Sequence, residues 1–297
     1  MKTNQVFKLK GGTGNQLFIY FAALASQVQS GRLISFEVSA LNLAKTKRVN
    51  AMDSFHLPIQ VPTIQYSYLG NFLVRVGIKL MRKTRSKTLK SIYLPSDVGF
   101  CEDFLPNSHS FRFIDGYFQT WKYFEAVTTY FPDWKFKLKE ESPILMSYID
   151  KMSKENPIVV HVRRGDYLAL SESFGVLEEE YFKNGVDQLS SIEKNDKVWV
   201  FSDDPGFVQQ NFKSFKIDCF PEIDVDLSQE EVLYLMSQSR RIVISNSTFS
   251  WWAAMFAGKS ASVIAPSPWF RAIAEPKELI PETWQVTPSV WSEPNCI

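Results

Sequence analysis

What most constrains this chain is a repeating order: a short apolar run, an abrupt polar or glycine-bearing turn, then a helical pattern. Val6-Phe-Lys-Leu9 reads as a strand, Gly11-Gly-Thr-Gly14 as a tight turn, and Asn15 to Ser30 as a helix with Leu17, Phe18, Phe21 and Leu24 on one side. Gly31 supplies a C-cap, and Leu33-Ile-Ser-Phe36 is the next strand. The order returns after a mixed, aromatic-rich middle. Pro157-Ile-Val-Val160 runs into His161, Glu178 to Leu189 is helical, and Val198-Trp-Val-Phe201 ends at Ser202-Asp-Asp204. A helix over Leu227 to Ser239 opens with a Ser228/Glu231 capping box. Arg241-Ile-Val-Ile-Ser245, the turn Asn246 to Ser250, a helix over Trp251 to Phe256 and the strand Ala261 to Ala265 complete the series. Strands alternating with helices imply an α/β fold with parallel sheets.

At 297 residues the chain exceeds the size at which one core usually keeps growing. Two domains of about 150 residues each are expected, 1–150 and 151–297. The formal charge is +1, from 33 basic and 32 acidic side chains, so nothing global attracts nucleic acid and any anion site must be local. Three separated cysteines, Cys101, Cys219 and Cys296, suit neither a disulfide framework nor a zinc site. With no apolar leader and no uncharged run of spanning length, the expected location is the cytoplasm. One imbalance stands out over 72–90, where Arg75, Lys79, Arg82, Lys83, Arg85, Lys87 and Lys90 surround Phe72, Leu73, Val76 and Leu80. This stretch suits either a solvated helix or peripheral contact with an anionic membrane face.

Polar clusters fall at the carboxyl ends of three strands in the second half, the edge at which open parallel sheets bind ligands. Arg163 and Arg164, with Gly165 to turn the backbone and Asp166 to orient a guanidinium, form a compact phosphate site or, alternatively, a salt-bridged strand end. Asn246-Ser-Thr-Phe-Ser250 offers hydroxyls and backbone amides, for phosphate or simply for a helix cap. Asp203 and Asp204 accept from a base or ribose, or end a strand. Asp224-Val-Asp226 has the Asp-x-Asp pattern of metal-dependent sugar transferases but directly precedes a capping box, and reads as a turn. Gly12-Thr-Gly14 also permits a dinucleotide-dependent oxidoreductase, with Glu37 as the ribose acid, although Leu17 occupies the third glycine position.

Five blocks in order resemble the bacterial α-1,2-fucosyltransferase family: Gly11 to Gln16, Gly116 to Phe124, His161 to Tyr167, Ser202 to Asp204, and Asn246 to Trp252. The likeness runs from about residue 10 to about 270, with departures at Thr13, Ile19, Phe174 and Arg241 that bear on the acceptor. The resemblance implies a GT-B architecture, two Rossmann-like domains facing a central cleft, with the donor held mainly by the second and the acceptor by the first. It further implies transfer of L-fucose from GDP-β-L-fucose to a galactose 2-hydroxyl with inversion. No metal and no cofactor are expected, and the acceptor is a galactose-terminated oligosaccharide or a lipid-linked glycan, as in O-antigen assembly at the inner face of the cytoplasmic membrane. Other linkages or acceptors for the same donor remain open.

Within that frame Arg163 is the charge-stabilising catalytic group, and Asp166, Glu37 and Asp115 are candidate bases unless the proton leaves through the phosphate. Donor contacts are assigned to Asn15, Gln16, His161, Arg164, Ser202, Asp204, Asn246, Ser247, Thr248 and Ser250. Acceptor contacts are assigned to Tyr117, Gln119 and Trp121, whose flat faces and amide suit a sugar ring. Phe118 belongs to the same aromatic block.

Overall fold

The computed structural model describes residues 4–42, 48–65, 76, 91–190 and 196–293. The first strand, β1 (Gln5–Lys8), leads into the glycine turn and helix α1 (Thr13–Ser30). Gly31 ends α1 in the left-handed conformation, φ 63°, its N–H returning to the Gln27 carbonyl. Strands β2 (Ile34–Glu37), β3 (Thr63–Ile64), β4 (Ile92–Tyr93) and β5 (Phe113–Ile114) follow, and helix α2 (Trp121–Tyr130) closes this part. The five strands form an all-parallel sheet in the order β3-β2-β1-β5-β4.

Phe7, Phe104, Phe118 and Tyr123 interlock beside this sheet, with Phe104 and Phe118 ring centroids 4.8 Å apart. Phe118 is buried although its φ is +57°, a region that bulky residues avoid at a cost of roughly 1–2 kcal/mol. The ring's burial offsets that cost. Gln5, also buried, donates from Nε2 to the Ser108 carbonyl at 2.7 Å and accepts from the Ser26 hydroxyl at 2.8 Å.

The second sheet is built from β6 (Ile158–Val162), β7 (Val198–Ser202), β8 (Arg241–Val243), β9 (Ser262–Ser267) and β10 (Gln285–Pro288), all parallel, in the order β10-β9-β8-β6-β7. Every residue of β6 and β7 is buried, the mark of parallel strands covered on both faces. Helices α3 (Pro143–Glu155), α4 (Glu179–Leu189), α5 (Pro205–Asn211), α6 (Gln229–Met236) and α7 (Thr248–Ala257) accompany this sheet. The capping box read in the sequence is present: Ser228 Oγ accepts from Glu231 N, and the Glu231 carboxylate accepts from Ser228 N.

Two compact units result, one of residues 1–136 with Pro276–Leu279 and one of 137–275 with 280–297. The expected boundary near residue 150 falls inside α3, which belongs to the second unit. Trp199 Nε1 donates to Glu155 Oε2 at 2.8 Å, and the amide of Ser142, the N-cap of α3, donates to Glu231 at 3.3 Å. A charged, amphipathic helix looks like a linker in sequence, but it is these contacts that assign it. The basic stretch 72–90 lies outside the described residues except for Val76, which is exposed. Among the described residues no helix is long and apolar enough to cross a membrane.

Candidate active site

Strands β8, β6 and β7 are neighbours in one parallel sheet, so the turns after them share one edge. Arg163 leaves β6 with its fork divided between two carboxylates: Nη1 lies 3.0 Å from Asp203 Oδ2 and Nη2 2.6 Å from Asp166 Oδ1. Its Nε is enclosed without a hydrogen-bond partner, and the side chain is 26% exposed. Asp203 also accepts from the Arg164 amide at 2.8 Å. Gly165 has no room for a side chain, because a Cβ there would stand 2.2 Å from Asp203 Oδ2. One carboxylate thus fixes both the guanidinium and the backbone that presents it.

Arg164 points differently. Its guanidinium lies 3.3 Å from the centre of the Phe207 ring, a cation–π contact, and its Nε is 3.5 Å from Asp204 Oδ2. Burial lowers its pKa, opposed by Asp204 and Asp203. Asp204 also caps α5, its Oδ1 accepting from Phe207 N at 3.3 Å, while Ser202 Oγ accepts from Asp204 N at 3.0 Å. Both residues are at the expected strand end, but their polar atoms shape the turn.

His161 is enclosed in β6, and its Nδ1 meets Ser245 Oγ at 2.9 Å. Burial, with Arg163 adding to it, pushes its pKa down to about 3. It is therefore a neutral interior link between β6 and the turn after β8 and not an open phosphate ligand. The sign for stability follows: the unfolded histidine takes up a proton below about pH 6.5 and the native one does not, so stability falls on acidification toward pH 3. The melting temperature is expected to drop less steeply between pH 6.5 and pH 4 in His161→Gln, measured by circular dichroism.

Ser250 is likewise interior, its Oγ 3.3 Å from the Ser247 carbonyl. Ser247 caps α7 by accepting from Phe249 N at 3.3 Å, and Thr248, the first helical residue, is partly exposed. Asn246 donates to the Phe174 and Gly175 carbonyls at 3.0 and 3.2 Å, while its Oδ1 is enclosed without a partner. The Tyr167 hydroxyl donates to the Asn246 carbonyl at 2.9 Å, tying the arginine turn to the α7 turn. Phe174 packs its ring on Tyr167 and Phe270. Arg241 lies at the opposite, amino-terminal end of β8, paired with Asp196.

Glu222, which the sequence does not single out, approaches this edge. Its Oε2 is enclosed without a hydrogen-bond partner, and burial pushes its pKa up to about 8, with Asp203 adding to the effect against backbone donors at Glu222 and Ser202. The native state keeps the proton while the unfolded chain loses it above about pH 4.5, so stability falls as pH rises toward 8. Glu222→Gln is expected to melt higher than the parent at pH 8, with the gap closing by pH 5.

In the first unit, Gln119 Nε2 donates to Asn15 Oδ1 at 2.9 Å, joining two expected ligands. Gln16 is a structural residue instead. It donates to the Gly11 and Val49 carbonyls and accepts from Ala51 N, so both amide hydrogens are taken by backbone. Tyr117 lies under the Lys10 ammonium, 4.2 Å from the ring centre, and Trp121 Nε1 is enclosed without a partner. Of the remaining base candidates, Glu37 is buried and accepts from Ser39 N. Burial pushes Asp115 up, but Lys10 and Lys8, at 2.5 and 3.2 Å, outweigh it and hold the carboxyl below its usual value.

The Glycosyl transferase family 11 model matches residues 79–283. The chain belongs to that family. It is thus a glycosyltransferase of an α-fucosyltransferase family, and this removes the dinucleotide-oxidoreductase reading of the Gly12 turn. Among curated relatives of this family 11 member, the alpha-1,2-colitosyltransferase of Escherichia coli is 27% identical over 94% of this chain and 97% of that protein. The E. coli O-antigen biosynthesis glycosyltransferase WbnK is 23% identical over 88% and 93%. A mutant of Arabidopsis thaliana FUT1 in complex with GDP superposes with a TM-score of 0.51 at 14% identity, covering 91% of this chain and 72% of that one. The two parallel α/β units are GT-B-like.

Proposed function

We propose that the enzyme transfers L-fucose from GDP-β-L-fucose to the 2-hydroxyl of a terminal galactose, with inversion to an α-1,2 linkage and without a metal. The observation that supports this most is the Arg163 fork, held on a strand end by Asp203 and open enough to meet a phosphate. As the bond from the sugar C1 to the diphosphate oxygen breaks, its electron pair passes to the leaving oxygen and positive charge grows on the sugar. A guanidinium already in place stabilises that anion. Asp204, Thr248, Ser247 and Asn246 border the same edge and are read as donor-side groups, with Tyr117, Gln119, Asn15 and Trp121 serving the sugar side in the first unit.

The acceptor proton must also go somewhere. Asp115 is a poor base between two ammoniums, and Asp166 is spent on Arg163. This favours transfer to the departing phosphate, with Asp166 positioning the guanidinium. Asp166→Asn is then expected to keep kcat within about tenfold of the parent and leave its pH profile unchanged, where a general base typically supplies about 10²–10⁴-fold. Loss of the acidic limb of that profile in the variant would make Asp166 the base.

The likeness to a colitosyltransferase over nearly the whole chain supports a second reading, in which the sugar moved is colitose. Incubation with GDP-fucose or nucleotide-activated colitose, against lactose, N-acetyllactosamine and galactosyl-β-1,3-N-acetylgalactosamine, with and without EDTA, separates the two. Fucosylated product that persists in EDTA is expected, and strict metal dependence would overturn the mechanism. The natural acceptor is then a lipid-linked or O-antigen-like glycan at the inner membrane face; peripheral membrane contact through the basic 72–90 stretch is tested separately, and absence of binding to anionic liposomes at low salt would end it.

A further inference from the structure

The chain that leaves β10 returns along the loop after the arginine turn, all of it within the second unit. Glu178 N donates to the Val290 carbonyl at 2.9 Å and Ser292 N to the Val176 carbonyl at 2.8 Å, with Leu177 and Trp291 bridged antiparallel between them. Arg271 Nη1 donates to the Ser292 carbonyl at 2.7 Å. Residues 290–292 are therefore held to 176–178 through backbone. The Trp291 ring then lies on Gly175: a Cβ there would stand 2.4 Å from Trp291 Cε3, and φ is +79°. Only glycine suits both the close indole and that conformation.

The carbonyls of Phe174 and Gly175 are the ones that accept from Asn246 Nδ2, at 3.0 and 3.2 Å. Asn246 is fully buried and its own carbonyl takes the Tyr167 hydroxyl at 2.9 Å, while the Tyr167 ring packs on Phe174 with centroids 5.3 Å apart. That ring centre lies 5.6 Å from Arg163 Cζ, within cation–π range. Of the two carboxylates on Arg163, Asp166 is 54% exposed, and an exposed ion pair contributes little. Asp203 and the Tyr167 ring are what remain to restrict the guanidinium.

We propose that Tyr167 and Trp291 are positioning residues for Arg163. Tyr167 acts by direct contact. Trp291 acts one step removed, by fixing the loop that carries Phe174 and seats Asn246. That Arg163 serves a departing diphosphate rests on the function proposed above, whereas the holding of its side chain does not.

Trp291→Ala, Trp291→Phe and Tyr167→Phe are compared with the parent, as full chains, by steady-state transfer from GDP-fucose. Each is also compared by the Arg163 Nε–H resonance in proton–nitrogen NMR, assigned by its loss in Arg163→Lys. Trp291→Ala is expected to lower kcat about 10-fold with KM within about twofold, in the range for a change that acts through a contact network, and to move the Arg163 resonance. Trp291→Phe, which keeps a flat ring over Gly175, should restore most of the rate. In an Arg163→Ala background, Trp291→Ala should cost less than about twofold more, since coupled positions do not add. The same loss in both backgrounds, or an unmoved Arg163 resonance in a cooperatively melting Trp291→Ala, overturns the proposal. Should Trp291→Ala fail to fold, an unmoved resonance in Tyr167→Phe, which loses only the tie to the Asn246 carbonyl, overturns it. If the parent gives no product from GDP-fucose, the function proposed above fails and the resonance decides this inference by itself.

Discussion

Arg163→Ala is expected to lower kcat/KM by roughly 10²- to 10³-fold, about 3–4 kcal/mol of lost transition-state stabilisation. The guanidinium is already planar, charged and held by Asp203 at 3.0 Å, so little reorganisation remains to be done as the diphosphate leaves. The side chain is 26% exposed, so an arriving phosphate oxygen can reach the guanidinium that Asp203 holds. Most of the loss should appear in kcat, because charge on the leaving oxygen grows only as the bond breaks. Arg163→Lys should recover part of it, since an ammonium keeps the charge but not the fork. Stopped or steady-state assays with GDP-fucose measure both variants. Turnover of Arg163→Ala within a few-fold of the parent would remove the arginine from the chemistry.

Asp203→Ala is the second large effect. Here one carboxylate serves the Arg164 amide at 2.8 Å and the Arg163 guanidinium at 3.0 Å, and its oxygen fills the space that Gly165 leaves. Losing it frees a charged side chain and a turn at once, with hydrogen bonds to charged groups worth about 1.5–3 kcal/mol each, so a roughly 10- to 100-fold fall in kcat/KM is expected. Gly165→Ala should act on the same contact, because its Cβ collides with Asp203 Oδ2. The double variant should then be little worse than either single one, where independent sites would add. GDP affinity by titration and kcat/KM together make the check. Additive losses would mean that the two positions act separately.

Much of this arrangement was legible in the sequence. The runs Ile158–Val160 and Val198–Phe201 are apolar, of strand length and rich in β-branched and aromatic residues, the pattern of buried parallel strands. That pattern alone puts the clusters after β6, β7 and β8 on one edge. Strands β3, β4 and β5, of two residues each, left no periodic signal to read. The last strand, β10, has three exposed residues in four and was missed for the same reason.

Roles within the clusters were a different matter. His161, Gln16 and Ser250 carry the right atoms in the right blocks, yet interior hydrogen bonds hold them. Asp203 and Asp204 are adjacent and identical in type, and only the packed turn makes one the clamp of Arg163 and the other a helix cap. Arg48 comes to Gly12 across 35 intervening positions of chain, and Glu222 comes to Ser202 across 19. By itself, then, the sequence determined the α/β order, the sheet edge where the polar clusters gather and the residue types available there, because burial and turn chemistry are local properties of a chain. Which of those groups is free to meet a ligand was decided only by the tertiary structure, because a polar atom's partners come from segments that sequence distance does not relate.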